Sequence, residues 1–184
     1  PHLYGRSGSV KSGDEPESSW RSVGAGAVWL SNASCFNGPT CLELHGGGAV
    51  SQSGLLDSGL FVVSGRNYTL SIAVRSSTDS DASSSRRAAS KATASLVDRA
   101  TGKAVSNAVE LSPAAGSGEW SWGSHELVAS AASSNASLTI RGDGVAVDMV
   151  ILEPGAWGKV RGLNIRRDVG EQILTEKLTM MRLG

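Results

Sequence analysis

Short stretches of alternating apolar and polar residues run through most of the chain. From Tyr68 to Arg75, the residues Tyr68, Leu70, Ile72 and Val74 fall on one face. Thr69, Ser71, Ala73 and Arg75 fall on the other. That period of two predicts a half-buried strand. Thr40 to Leu44 alternates in the same way, with Leu42 and Leu44 opposed to Cys41 and Glu43. Ala27–Leu30 and Leu60–Val63 are short apolar runs of strand character. Further strands are predicted over Ala92–Asp98, Ala104–Leu111, Trp120–Val128, Ser137–Arg141 and Val145–Leu152. In the last of these, Val145, Val147, Met149 and Ile151 share one face by parity. Gly, Ser and Asn turns separate the strands, and helical periodicity is lacking before residue 160. An all-β fold follows, an antiparallel two-sheet jelly-roll sandwich.

The pattern changes at both ends. The first twenty residues are polar and carry Gly5, Gly8, Gly13 and Pro16, so residues 1–26 are expected to form an arm before the sandwich of residues 27–154. After Glu153-Pro154-Gly155 the spacing becomes helical, with Val169, Ile173 and Leu174 between Asp168 and Lys177. Leu178–Leu183 then has strand character. Residues 155–184 are therefore expected to be a linker and the first elements of an α/β barrel. A lone helix and strand would leave apolar faces and an unpaired edge, so a continuing barrel, in the same chain or as the partner of a processed chain, is expected to cover them. Residues 76–91 are a Ser-rich polar segment whose Arg86-Arg87-Ala88-Ala89-Ser90 has the form of a basophilic kinase site. A solvated loop is the stronger reading, because so polar a stretch cannot offset its ordering entropy.

The charges balance to zero, which gives no basic stripe for nucleic acid and no amphipathic basic helix for a membrane surface. Two features point to secretion. Cys35 and Cys41 flank Phe36-Asn37-Gly38-Pro39-Thr40, whose Asn-Gly-Pro centre turns the chain sharply. A disulfide is favoured over two buried free thiols. Sequons begin at Asn32, Asn67 and Asn135, against about one expected by chance in a chain so rich in Ser. His2, His45 and His125 lack metal-ligand spacing, and no Ser-His-Asp arrangement is suggested.

The run Val145-Ala-Val-Asp-Met-Val-Ile-Leu-Glu-Pro154 resembles the last strand of the N-terminal module in glycoside hydrolase family 51, the α-L-arabinofuranosidases. Gly162–Asp168 is similar to the segment leading to that family's first barrel helix. Leu178–Gly184 resembles its first barrel strand, and Trp120–Leu127 and Tyr68–Ser76 resemble earlier parts of the module. Leu183 departs from the family's usual aromatic, and residues 76–91 lengthen a loop expected to be short. The resemblance implies a secreted retaining hydrolase whose two catalytic Glu residues lie on later barrel strands. None of those strands is in this chain, so no catalytic residue and no catalytic cofactor are assigned.

Sugar binding is the activity the resemblance implies, with a plant or algal-type cell-wall polysaccharide or another glycan as partner. Aromatic rings stack on sugar faces, and the candidates are Trp29, Trp122 and Tyr68, with Trp20 behind them. Trp120 matches the family's structural Trp, and Trp122 shares its face, so a core position competes with sugar contact. Trp157 is expected to pack between sandwich and barrel. Modules of this kind often hold a structural Ca²⁺ through an Asp on the last strand. Asp148 is that candidate, and a turn cap or an Arg partner is the alternative. The competing function is a non-catalytic structural domain of a cell-surface or matrix glycoprotein.

Overall fold

The computed structural model describes residues 20–23, 27–31, 34–54, 57–77, 90–113, 118–161 and 163–176. The side chains of residues 27–31, 164 and 165 lie outside the description. Eleven strands come first: β1 Trp20–Ser22, β2 Ala27–Ser31, β3 Thr40–Leu44, β4 Ala49–Gln52, β5 Leu60–Val62, β6 Asn67–Ser76, β7 Lys91–Asp98, β8 Val109–Leu111, β9 Ser121–Val128, β10 Ser133–Asp143 and β11 Val145–Pro154. They form two antiparallel sheets. One has the order β2-β3-β11-β6-β9; the other has β1-β4-β10-β7-β8, with β5 also paired to β10. This is the two-sheet antiparallel sandwich that the alternation predicts.

The inner faces supply the core. Leu42, Leu44, Leu70, Ile72, Leu127 and Val145 come from the five-stranded sheet. Val50, Leu96, Leu138 and Ile140 face them from the other. The chain passes between the sheets at two adjoining corners. Gly46 and Gly47, both at positive φ, link β3 to β4, and Gly144 links β10 to β11. The corners are tied together by the Gly46 amide donating to Asp143 Oδ1 at 2.7 Å.

Two expectations are corrected. The segment expected as an arm already contains β1: Trp20–Ser22 pairs with β4, and the Trp20 ring is buried. A three-residue edge strand among Gly and Ser leaves almost no periodic signal, and a single buried indole holds it. Strand β4 was equally hidden behind the glycine run. The second correction concerns β11. Its register slips between Asp148 and Ile151, and Met149 takes φ +49°. One extra residue there is a β-bulge, which reverses the side-chain parity beyond it. Val150 is buried and Leu152 packs on the core, whereas Ile151 sits opposite the outward Ser71. Met149 and Ile151 therefore do not share the face of Val145 and Val147.

Beyond the sandwich, a 3₁₀ turn at Ala156–Gly158 leads to a hairpin of β12 Lys159–Val160 and β13 Leu163–Arg166, then helix α1 Arg167–Thr175. Trp157 docks this unit on the sandwich. Its Nε1 donates to the Asn67 carbonyl at 2.7 Å, and its ring meets the Tyr68 ring edge-on at 5.6 Å. The helix starts near the expected Asp168, which pairs with Arg166, and Arg167 bonds Glu171 one turn on. The strand expected at Leu178–Leu183, the Asn32 sequon and Arg86–Ala89 of the kinase-like motif lie outside the described residues.

Gly170 is the point at which helix and hairpin touch. A Cβ there would lie 2.7–3.0 Å from three atoms of the stiff Val160 side chain. In a free helix Gly→Ala gains about 1 kcal/mol. Here Gly170→Ala is expected to do the opposite and to loosen α1 from β12. Faster amide exchange across residues 167–175 is the expected readout, and slower exchange would contradict the packing.

Candidate functional site

In a simple antiparallel sandwich the outer face of a sheet is solvated and polar. The outer face of the five-stranded sheet departs from that rule. Residues directly opposite across an antiparallel pair share a face. One row on this side runs Glu43, Ala146, Arg75 across β3, β11 and β6. The next places Asp148, Ala73 and Trp122 side by side on β11, β6 and β9. Cys41, Glu43, Ala73, Arg75, Ala146 and Asp148 are all buried although they lie on the outer face.

Part of the cover is a loop closed by the Cys35–Cys41 disulfide, which forms as expected. Its Cα atoms are 5.4 Å apart, and closing so short a loop contributes about 2 kcal/mol in the chain-entropy account. Asp148 anchors the loop. Its Oδ2 accepts the Asn37 amide at 2.8 Å, its Oδ1 accepts the Met149 amide at 2.7 Å, and the Phe36 amide adds a further bond. Asn37 Nδ2 meets the Met149 sulfur at 3.3 Å. One carboxylate therefore holds both the loop and the bulge. Burial pushes the Asp148 carboxyl above its ordinary range, and the three backbone N–H donors pull partly the other way. With both oxygens so occupied, Asp148 acts as a backbone anchor. Among the described residues no group of three or more His, Cys, Asp or Glu could hold a metal ion.

The anchored loop delivers Phe36 to Trp122. The two rings are nearly parallel, 7° apart in plane and 5.7 Å between centroids. Phe36 is 43% and Trp122 44% exposed. Trp120 meets Phe36 edge-on at 6.1 Å, and its Nε1 donates to the Ser34 carbonyl at 2.8 Å. The Arg75 guanidinium lies over the Trp120 ring at 5.0 Å. Further along the same face, Ser71 and Ser124 bond through their hydroxyls at 2.9 Å, and Asn67 Nδ2 donates to Glu126 at 2.8 Å. Glu43 is engaged by His45 Nε2 at 2.9 Å.

The sequence candidates separate on this geometry. Trp122 is on the outer face and exposed. A core position for it is overturned because the inward residue of β9 is Leu127, of opposite parity. Tyr68 is corrected in the other direction. It shares the inner face with Leu70 and Ile72, is buried, and its hydroxyl accepts the Val63 amide at 2.8 Å. Its ring therefore cannot stack on an external sugar. Trp29 takes the β2 position opposite Leu42, and its side chain lies outside the described residues. Asn67 begins β6, and Asn135 is exposed on β10, where its Oδ1 accepts from Arg99 at 3.1 Å. Sequence reasoning missed Phe36 and Arg75. The available signal for Phe36 was an aromatic inside a loop closed by two cysteines.

No family model and no curated protein sequence matches the chain. Solved structures do. An arabinose-bound GH51 α-L-arabinofuranosidase, MgGH51, aligns with TM-score 0.65 and 19% identity over 84% of this chain and 26% of its own. The chain thus spans about a quarter of that enzyme. The CBM22-1–GH10 modules of Clostridium thermocellum xylanase 10B, solved with xylohexaose, align with TM-score 0.48 and 16% identity over 79% and 27% of the two chains. The CBM22-1 xylan-binding domain of Paenibacillus barcinonensis Xyn10C gives TM-score 0.47 and 14% identity over 77% and 88%. At these identities the likeness to the arabinofuranosidase establishes a shared fold, the β-sandwich described above.

Two outcomes follow for Asp148. Replacing it with Ala leaves backbone donors without their acceptor and is expected to cost about 2–4 kcal/mol, read as a lower urea midpoint. A carboxyl raised in the folded state binds its proton more tightly there than in the unfolded chain, so its stabilisation fades as pH rises through the raised value. The stability gap between wild type and Asp148→Ala should therefore narrow as the pH rises above about 4, the ordinary range of an aspartate. A gap that widens as the pH rises contradicts the assignment.

Proposed function

We propose that this chain is a glycan-binding module and that the outer face of the five-stranded sheet is its binding surface. The observation that carries this reading is the exposed, nearly parallel Phe36–Trp122 pair, held rigid by a disulfide loop. The outward ring surface of such a stacked pair is flat and apolar, and it matches the C–H face of a sugar ring. Ser71, Ser124, Glu126 and Thr69 lie along the same face and supply hydroxyl and carboxylate partners for sugar hydroxyls. Binding sites generally combine an apolar platform with a few placed polar groups in this way.

The finer reading is that the module belongs to a secreted α-L-arabinofuranosidase-like hydrolase and holds a cell-wall polysaccharide near the catalytic barrel. The fold shared with the GH51 enzyme supports it. So does the C-terminal unit, where Leu163, Val169 and Leu174 are exposed. In this reading those side chains pack against the barrel that follows. The disulfide and the Asn67 and Asn135 sequons support secretion.

The test is retention on arabinoxylan, arabinan and related polysaccharides in affinity gels. Trp122→Ala and Phe36→Ala are each expected to weaken retention about tenfold, the scale of one lost stacking contact with its buried area. Phe61 is 72% exposed on β5 of the other sheet, and Phe61→Ala should leave retention unchanged. Wild-type retention in the Trp122 variant, or no retention of the wild type on any glycan, would sink the proposal.

A further inference from the structure

We infer that the glycan bound on this face carries a carboxylate, as in a uronic acid, and that Arg75 recognises it. The inference rests on the glycan-binding reading above and adds the class of sugar.

Arg75 is only 6% exposed. Its Nε is out of solvent and has no hydrogen-bond acceptor. The one partner of its guanidinium among the described residues is the face of Trp120. A buried cation without a carboxylate is costly, and the two buried carboxylates nearest in the sheet, Glu43 and Asp148, are already engaged. Glu43 lies in the same row, two strands away across Ala146, and is engaged by His45. Two strand spacings put it about 10 Å from Arg75 at the backbone. Asp148 is taken up by the backbone amides of the disulfide loop and the bulge. Among the described residues Arg75 is therefore a buried cation with no carboxylate partner.

Position completes the case. Arg75 follows Val74, which pairs with Ser121, so it sits at the level of Trp120, beside the exposed Trp122 and Phe36. A sugar packed on the free face or edge of this pair would bring a ring substituent toward the guanidinium. Guanidinium is a planar fork of donors that fits a carboxylate through two parallel bonds. A neutral hydroxyl offers one acceptor and no charge. The Trp120 ring behind the guanidinium fixes its plane, so little rotamer freedom is lost when the ligand arrives.

The experiment compares polymers of one backbone that differ only in the acid group. Glucuronoxylan and polygalacturonate are each assayed beside their carboxyl-reduced forms by titration calorimetry, with the whole chain. The wild type is expected to bind each acidic polymer about tenfold more tightly than its reduced form, the scale of a charge-assisted pair. Arg75→Gln should erase that preference while keeping the weaker, Trp122-dependent binding of the reduced polymers. Arg75→Lys, which keeps the charge and loses the fork, should recover only part of it. Should the Arg75 variants fail to fold, the wild-type comparison of acidic and reduced polymers still decides. Equal binding of both forms by the wild type overturns the inference and leaves the glycan-binding reading standing. Binding of neither form, or binding indifferent to Trp122→Ala, overturns both.

Discussion

A single buried carboxylate, Asp148, organises the surface that distinguishes this sandwich. On one side it accepts the amides of the disulfide loop, and on the other the amide of Met149 in the bulge. The bulge matters because it lets β11 serve two purposes. Up to Asp148 the strand sends Val145 and Val147 into the core and Ala146 and Asp148 outward. One extra residue then resets the parity, so Val150 and Leu152 continue the core to the strand's end. The loop tied to this point carries Phe36 against Trp122. Without the anchor, the loop would keep its disulfide but lose the contact that aims its aromatic ring.

Burial of charge on an outer sheet face costs stability, and nothing in the core requires it. The inner faces are closed by aliphatic side chains from both sheets. Glu43, Arg75 and Asp148 thus lie outside the aliphatic core, on the outer face of the sheet. Two of them are satisfied within the chain, by His45 and by backbone amides. Among the described residues, Arg75 has only an aromatic face. Sites built for ligands commonly hold such unfinished polar groups, because the ligand supplies the missing partner.

The main strands were legible because alternation is a local signal. β3, β6, β7 and β9 stand close to where the period of two puts them. What was illegible depends on contacts distant in sequence. β1 has only Trp20 to mark it, and β4 follows directly on a glycine run. Parity correctly put Trp120 and Trp122 on one face. It could not say which face is inner, since that is decided by Leu127 pairing opposite the buried Tyr68. The bulge at Met149 leaves no periodic trace, because a strand with an extra residue still reads as an apolar run. The disulfide was legible from the turn between its cysteines. The stacking of Phe36 on Trp122 joins residues 86 positions apart and is a property of the fold.

The central claim is that Phe36, Trp122 and their neighbours form the binding surface. Its most direct test is an NMR titration of the whole chain with a xylo- or arabino-oligosaccharide, following the tryptophan indole N–H signals. The account predicts that the signals of Trp120 and Trp122 move on saturation while those of the buried Trp20 and of Trp157, bonded to Asn67, stay in place. Movement confined to Trp20 or Trp157, with Trp120 and Trp122 unchanged, would contradict it.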